Sequence, residues 1–113
     1  MAYQDGMKTD RLAQQMIKQV TEDTTLDPKD TRVAAAIPAQ GSITITLPSV
    51  AEAFGRGPYF IRVDTDGGGT SVVVQDSDET PDNYQSDALT AVGDRVCLVS
   101  DSQQWYELFE KST

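Results

Sequence analysis

The stretch Gly41-Ser42-Ile43-Thr44-Ile45-Thr46-Leu47-Pro48 decides the fold class. Successive side chains of an extended chain point to opposite sides. Ile43, Ile45 and Leu47 therefore share one face, and Ser42, Thr44 and Thr46 share the other. This is a half-buried strand, stopped by Pro48, which cannot donate to a ladder.

Working downstream, residues 49–54 have room for one helical turn or a tight loop, and Gly55-Arg56-Gly57-Pro58 is a turn. Residues 59–63 form a second strand with Tyr59, Ile61 and Val63 on one face. Residues 64–69 read as a flexible loop, because three adjacent glycines cost backbone entropy inside a strand. Residues 71–75 are a third strand, 76–87 a long acidic loop carrying Pro81, and 88–91 a short strand before the turn Val92-Gly93-Asp94. Residues 95–100 and 105–109 form a closing hairpin around Asp101-Ser102-Gln103-Gln104. No long helix separates the strands, so antiparallel pairing is expected. The body, residues 41–113, is thus mainly β, a small antiparallel β-sandwich or barrel.

Upstream the pattern changes. From a cap at Thr9 or Asp10, the apolar residues Leu12, Met16 and Val20 recur at spacing four, with Ala13 and Ile17 beside them. That predicts a short amphipathic helix, which is marginal alone in water and needs a surface to pack on. Residues 21–32, TEDTTLDPKDTR, are polar and read as an extended connector. Residues 1–40 are therefore expected to be an N-terminal arm, with Leu12, Met16, Ile17 and Val20 contacting a shell or a neighbouring subunit.

Composition narrows the function classes. The chain has 113 residues, the size of one domain, and a net charge of -9 with no histidine and one cysteine. Such a surface repels phosphate, so neither nucleic acid nor an anionic membrane is expected as a partner. The longest apolar run, residues 33–37, is far short of the roughly 20 residues that span a bilayer. The first residues, MAYQDGMKTDR, lack the basic and apolar segments of a secretory leader. Without histidine the commonest general base and metal ligand are missing. Cys97 alone can form neither an intrachain disulfide nor a zinc cluster. No enzyme activity and no cofactor are expected.

The series from Gly41 to Pro48, then Ala51-Glu52-Ala53, Tyr59 to Val63, Val72-Val73-Val74, Gly93-Asp94-Arg95-Val96-Cys97-Leu98-Val99-Ser100-Asp101 and Trp105-Tyr106-Glu107-Leu108 resembles the small β modules of tailed-bacteriophage virion proteins. Capsid decoration (cement) proteins, head fibres and tail-fibre tips belong to that group. The resemblance covers residues 41–113 and implies a structural or adhesive role, a homotrimer, and the major capsid protein as partner on the outer surface of the virion head. A tail-fibre or head-fibre tip binding host surface glycans is the alternative, and a small hydrolase the third class. At about 73 residues the body is marginal as a lone core, which also favours a trimer.

Individual residues are weighed against plain structural roles. Ile43, Ile45, Leu47, Tyr59, Ile61, Val63, Trp105, Tyr106 and Leu108 are the candidates for core or subunit interface. Trp105 and Tyr106 must face opposite ways, one of them into the core with Leu108. Asp64-x-Asp66-Gly67 resembles part of a calcium loop, but the twelfth position is Gln75, where a glutamate is needed. Asp76-Ser77-Asp78-Glu79 reads first as a solvated acidic loop. No metal is expected at either. Cys97 is read as a small apolar residue in a strand, with a thiol activated by Arg95 as the weaker alternative.

Overall fold

The computed structural model describes residues 17–77 and 84–111. They form strands β1 (Lys18–Val20), β2 (Thr24–Thr25), β3 (Arg32–Ile37) and β4 (Ser42–Thr46), one helical turn α1 (Val50–Ala53), and strands β5 (Tyr59–Asp66), β6 (Ser71–Gln75), β7 (Arg95–Ser100) and β8 (Trp105–Lys111). The fold is mainly β. Five strands build one sheet in the order β1-β3-β5-β7-β8, and three build a second in the order β2-β4-β6.

Up to β6 the chain alternates between the sheets, so each strand meets as neighbour the strand two places away in sequence. Packed sheets lie about 10 Å apart, a gap that a few extended residues can cross. The short connections therefore lead from sheet to sheet instead of forming hairpins. As a result β1–β3, β3–β5, β2–β4 and β4–β6 are parallel pairs, while β5–β7 and β7–β8 are antiparallel, as are the single bridges Val72–Leu89 and Gln75–Gln85. This corrects the antiparallel body expected from the strand spacing. The sheets are mixed, and a strand in the opposite sheet does the crossover work usually done by a helix.

The core lies between the layers. Val33, Ala35, Ile37, Tyr59, Ile61, Val63, Val96, Leu98 and Trp105 enter it from the larger sheet, and Ile43, Ile45, Val72 and Val74 from the smaller. Leu47 and Leu89 add to it from connections. The helical turn follows from Ser49-Val50-Ala51-Glu52, where the Ser49 hydroxyl accepts from the Glu52 N–H (3.2 Å). It is tied to β7 by the Ser100 hydroxyl, which donates to the Val50 carbonyl (2.6 Å).

The division at residue 40 does not describe this fold. Val20 is buried to 1% exposure on β1, and Leu26 to 2%. β3, also inside the expected arm, is a central strand of the larger sheet. The expected helix is not confirmed: its last residues, Lys18–Val20, run extended beside β3 with Val20 opposite Ala35. Leu12 and Met16 lie outside the described residues. A spacing of four fits a strand's period of two as well as a helix turn, and pairing to β3 makes Lys18–Val20 a strand.

The glycine segment is also different from expectation. β5 continues through Asp64, Thr65 and Asp66, with Ala36 opposite Thr65 and Ile37 opposite Asp66. Beyond it, Gly67 and Gly69 run close under residues 37–41, their N–H groups donating to the Ile37 carbonyl (2.9 Å) and the Pro38 carbonyl (2.7 Å). A Cβ on Gly67 would lie 2.7 Å from the Ile37 oxygen, so close backbone approach selects glycine there.

Candidate functional site

The chemically distinctive surface is the outer face of the larger sheet. Alternation along β5 sends Tyr59, Ile61 and Val63 into the core and leaves Phe60 and Arg62 outside. On β7 it sends Val96 and Leu98 inward and leaves Arg95, Cys97 and Val99 outside. Strand register then sets these residues in rows. One row runs Arg32, Phe60, Cys97, Phe109, and the next runs Ala34, Arg62, Arg95, Lys111.

In the first row the Arg32 guanidinium lies 5.7 Å from the Phe60 ring centroid, within cation–π range. Phe60 and Phe109 reach over the intervening strand to within 6.3 Å, centroid to centroid. Cys97 lies between their backbones, and this explains why an outward-pointing residue is only 1% exposed. Burial pushes the Cys97 thiol above its ordinary value, the reverse of what activation by Arg95 requires. The rings themselves remain partly open to solvent, as do Tyr106 and Leu108 farther along β8.

The second row places three cations side by side across three strands. Like charges directly opposite on neighbouring strands oppose pairing. The ion pair the face provides joins Arg62 to Asp64 at 3.8 Å, and both side chains are more than half exposed, so it contributes little. One open hollow on this face is lined by Ile17, Arg32, Val33, Ala34, Phe60, Arg62 and Asp64. Another open hollow lies on the smaller sheet, lined by Asp23, Thr24, Thr25, Thr44, Thr46 and Gln75.

The inward side of β8 beyond Trp105 is acidic. Tyr84 donates to Glu107 (2.6 Å), and the Asp87 N–H donates to Glu110 (3.2 Å), fastening residues 84–87 to the strand. Burial first, then the neighbouring Glu107 and Asp87, push Glu110 up to about 8. Burial and Glu107 likewise push the Tyr84 hydroxyl up. Glu107 and Glu110 thus lie side by side, but Glu107 is exposed and both hold the 84–87 segment in place.

Comparison with protein-family models, with curated proteins and with solved structures found no match for this chain. The site therefore has to be judged on its own residues.

Of the residues singled out from sequence, Ile43, Ile45, Leu47, Tyr59, Ile61, Val63 and Trp105 lie in the core, and so does Val20. Tyr106 lies outward, while Ile17 is exposed beside the open face. Leu108 is a correction: it is 57% exposed and not in the core with Trp105. The ladder slips by one residue on β8, where Leu98 faces Glu107 and Cys97 faces Phe109. That bulge leaves Leu108 unpaired and moves every later residue to the other face. The acidic loop also differs, because the Asp76 carboxylate is buried and accepts from the Tyr84 N–H (3.1 Å). Asp78 and Glu79 lie outside the described residues. Asp66 accepts from the Gly68 N–H (2.8 Å), and among the described residues no group of three or more carboxylates and thiols is disposed to hold a metal ion.

Sequence reasoning missed Phe60, Arg62, Arg95, Phe109 and Lys111 as a surface. The same alternation that puts Ile61 inside puts Phe60 and Arg62 outside, so the signal was present strand by strand. Which strands lie together, and the slip that turns Phe109 outward, were not.

Proposed function

We propose that this chain is a structural protein of a tailed-phage virion, a decoration protein seated on the outer head surface as a homotrimer. The observation that supports it best is the open face carrying Phe60, Phe109, Arg62, Arg95 and Lys111 on an otherwise acidic body. Exposed rings and cations spread over three strands, with only an open hollow among them, suit another protein's surface better than a small substrate, which needs an enclosing site. The resemblance of residues 41–113 to virion β modules supplies the kind of assembly.

The fibre-tip alternative calls for exposed aromatic rings and carboxylates sharing one cleft. Here Phe60 shares its hollow with one carboxylate, Asp64, which is paired with Arg62, while Phe109 lies beside cations and Glu107 and Glu110 take the other side of β8, which favours the decoration reading.

Co-sedimentation of the purified chain with undecorated heads of a tailed phage tests the proposal. Saturable binding in multiples of three copies at symmetry-related positions is expected. Heads that pellet without the chain, while isolated tails retain it, would overturn the capsid assignment.

A further inference from the structure

The open face and the remainder of the molecule have opposite charge. The face carries Arg32, Arg62, Arg95 and Lys111 against Asp64, for +3, while the other described residues carry three cations against twelve carboxylates, for about -8 at neutral pH because Glu110, raised to about 8, is mostly protonated there. A charge separation of this kind limits how two copies can meet. In a two-fold contact through this face, both copies would present the same net positive surface to each other. A face of +3 would then meet another of +3, at a cost that exposed rings do not readily offset.

A head-to-tail contact has no such conflict. Each copy offers its cationic, ring-bearing face to one neighbour and an acidic surface to the next. One such acidic surface is the flank formed by Asp87, Glu107 and Glu110, charged at neutral pH mainly through Asp87 and Glu107. It lies on the opposite side of β8 from Phe109 and Lys111, so one strand carries both halves of the contact. The negative charge crowded there would be relieved by a neighbour's arginines, and the row of arginines by the carboxylates.

We propose that the outer face of the five-stranded sheet is a self-association surface that receives the acidic flank of a second copy of this chain, head to tail. This rests on the homo-oligomer part of the reading above and not on a phage head as the site of action. Contacts of this kind close into rings of three or more, or run on as chains. A single-stranded nucleic acid stacked on Phe60 and Phe109 is the competing occupant. The overall charge of -9 and Asp64 on the face itself count against it.

Sedimentation velocity of the full chain without capsids tests the idea across concentration and salt. Species of three or more copies are expected, dissociating as ionic strength rises. Arg62→Glu with Arg95→Glu should weaken association about tenfold or more. Lys111→Glu, at an exposed strand end, should act in the same direction even if the double variant fails to fold. Asp87→Lys with Glu107→Lys should also dissociate the assembly, although it leaves the cationic face untouched. An equimolar mixture of the two double variants should reassociate, since each then supplies the charge the other lacks.

A chain that stays monomeric at every concentration would overturn the proposal. So would association of two copies only, or association indifferent to Arg62→Glu with Arg95→Glu and to Lys111→Glu. Association unaffected by Asp87→Lys with Glu107→Lys would point to face-on-face contact and overturn the head-to-tail geometry. A monomer that binds a single-stranded oligonucleotide through Arg62 and Arg95 would overturn it in favour of the competing occupant. Capsid binding is absent from all of these measurements, so their failure and a failure of the decoration reading can be told apart.

Discussion

Trp105 closes one end of the core with its ring set edge-on to Tyr59, centroids 5.4 Å apart at 84°. The Tyr59 hydroxyl donates to the Pro28 carbonyl, but the Trp105 Nε1–H is buried and finds no acceptor among the described residues. The indole therefore contributes through packing, and its polar edge works against it by about 1–3 kcal/mol. Replacing it by phenylalanine loses some contact and also removes that edge. Trp105→Phe should cost less than about 2 kcal/mol, whereas Trp105→Ala, which leaves a cavity, should cost about 3–5 kcal/mol. Urea unfolding of both variants checks this. Equal losses would mean that the N–H has a partner and that the indole is held by it. Cys97 shows the same logic in reverse: its position under the Phe60 and Phe109 rings, not its thiol chemistry, explains the residue.

Among the elements, β8 is the most informative. The slip at Cys97 and Leu98 lets one strand place Trp105 in the core, Tyr106 and Phe109 on the open face, and Glu107 and Glu110 against residues 84–87. This attachment has a pH signature. Glu110 titrates near 4.3 in an unfolded chain and is raised to about 8 in the fold, first by burial and then by Glu107 and Asp87. The folded state binds the proton more tightly between those values, so stability is greatest below the lower one and falls as pH rises toward the upper. Asp101, lowered by the Gln104 and Gln103 N–H groups, acts only at the acid end, where stability is lost as pH drops below the usual carboxylate range. Melting temperature should therefore decline from pH 5 to pH 8. Glu110→Gln should match the native chain near pH 5 and exceed it at pH 8, with a flatter profile. Parallel profiles for the two proteins would remove Glu110 as the cause.

The whole molecule is a chain wound back and forth between two sheets, so its first strands are as structural as its last. Removing residues 1–40 takes away β1, β2 and β3, and with them Val20, Leu26, Val33, Ala35 and Ile37 from the core. Burying the four larger of these side chains is worth roughly 6–12 kcal/mol, which rivals the entire stability of a small domain, about 5–15 kcal/mol. It also exposes the long flank of β5. A chain of residues 41–113 should be unfolded or aggregated, without a cooperative thermal transition by circular dichroism. A soluble, cooperatively melting fragment would show that the first winding is dispensable and that the body is a unit of its own.

Period-two alternation is local, and for that reason residues 42–47, 59–63, 71–75 and 95–100 could be read as strands directly from their order, and in the first two the side chains that face inward could be read as well. The closing hairpin was legible from its turn residues, and alternation showed that Trp105 and Tyr106 face opposite ways, but not which of the two is buried. Pairing is not local. Whether Ser42–Thr46 lies beside Tyr59–Asp66 or beside Ser71–Gln75 depends on whether the connection crosses between sheets, and a connection of a few residues serves either path. The tertiary structure therefore decided that the ladders are mostly parallel and that Lys18–Val20 is a strand. It also decided that Leu108 is expelled from the core and that Arg62, Arg95 and Lys111 line up on one open face. Each of these is set by neighbours distant in the chain, because a strand's hydrogen bonds and half of its side-chain contacts are made with residues that its own sequence does not specify.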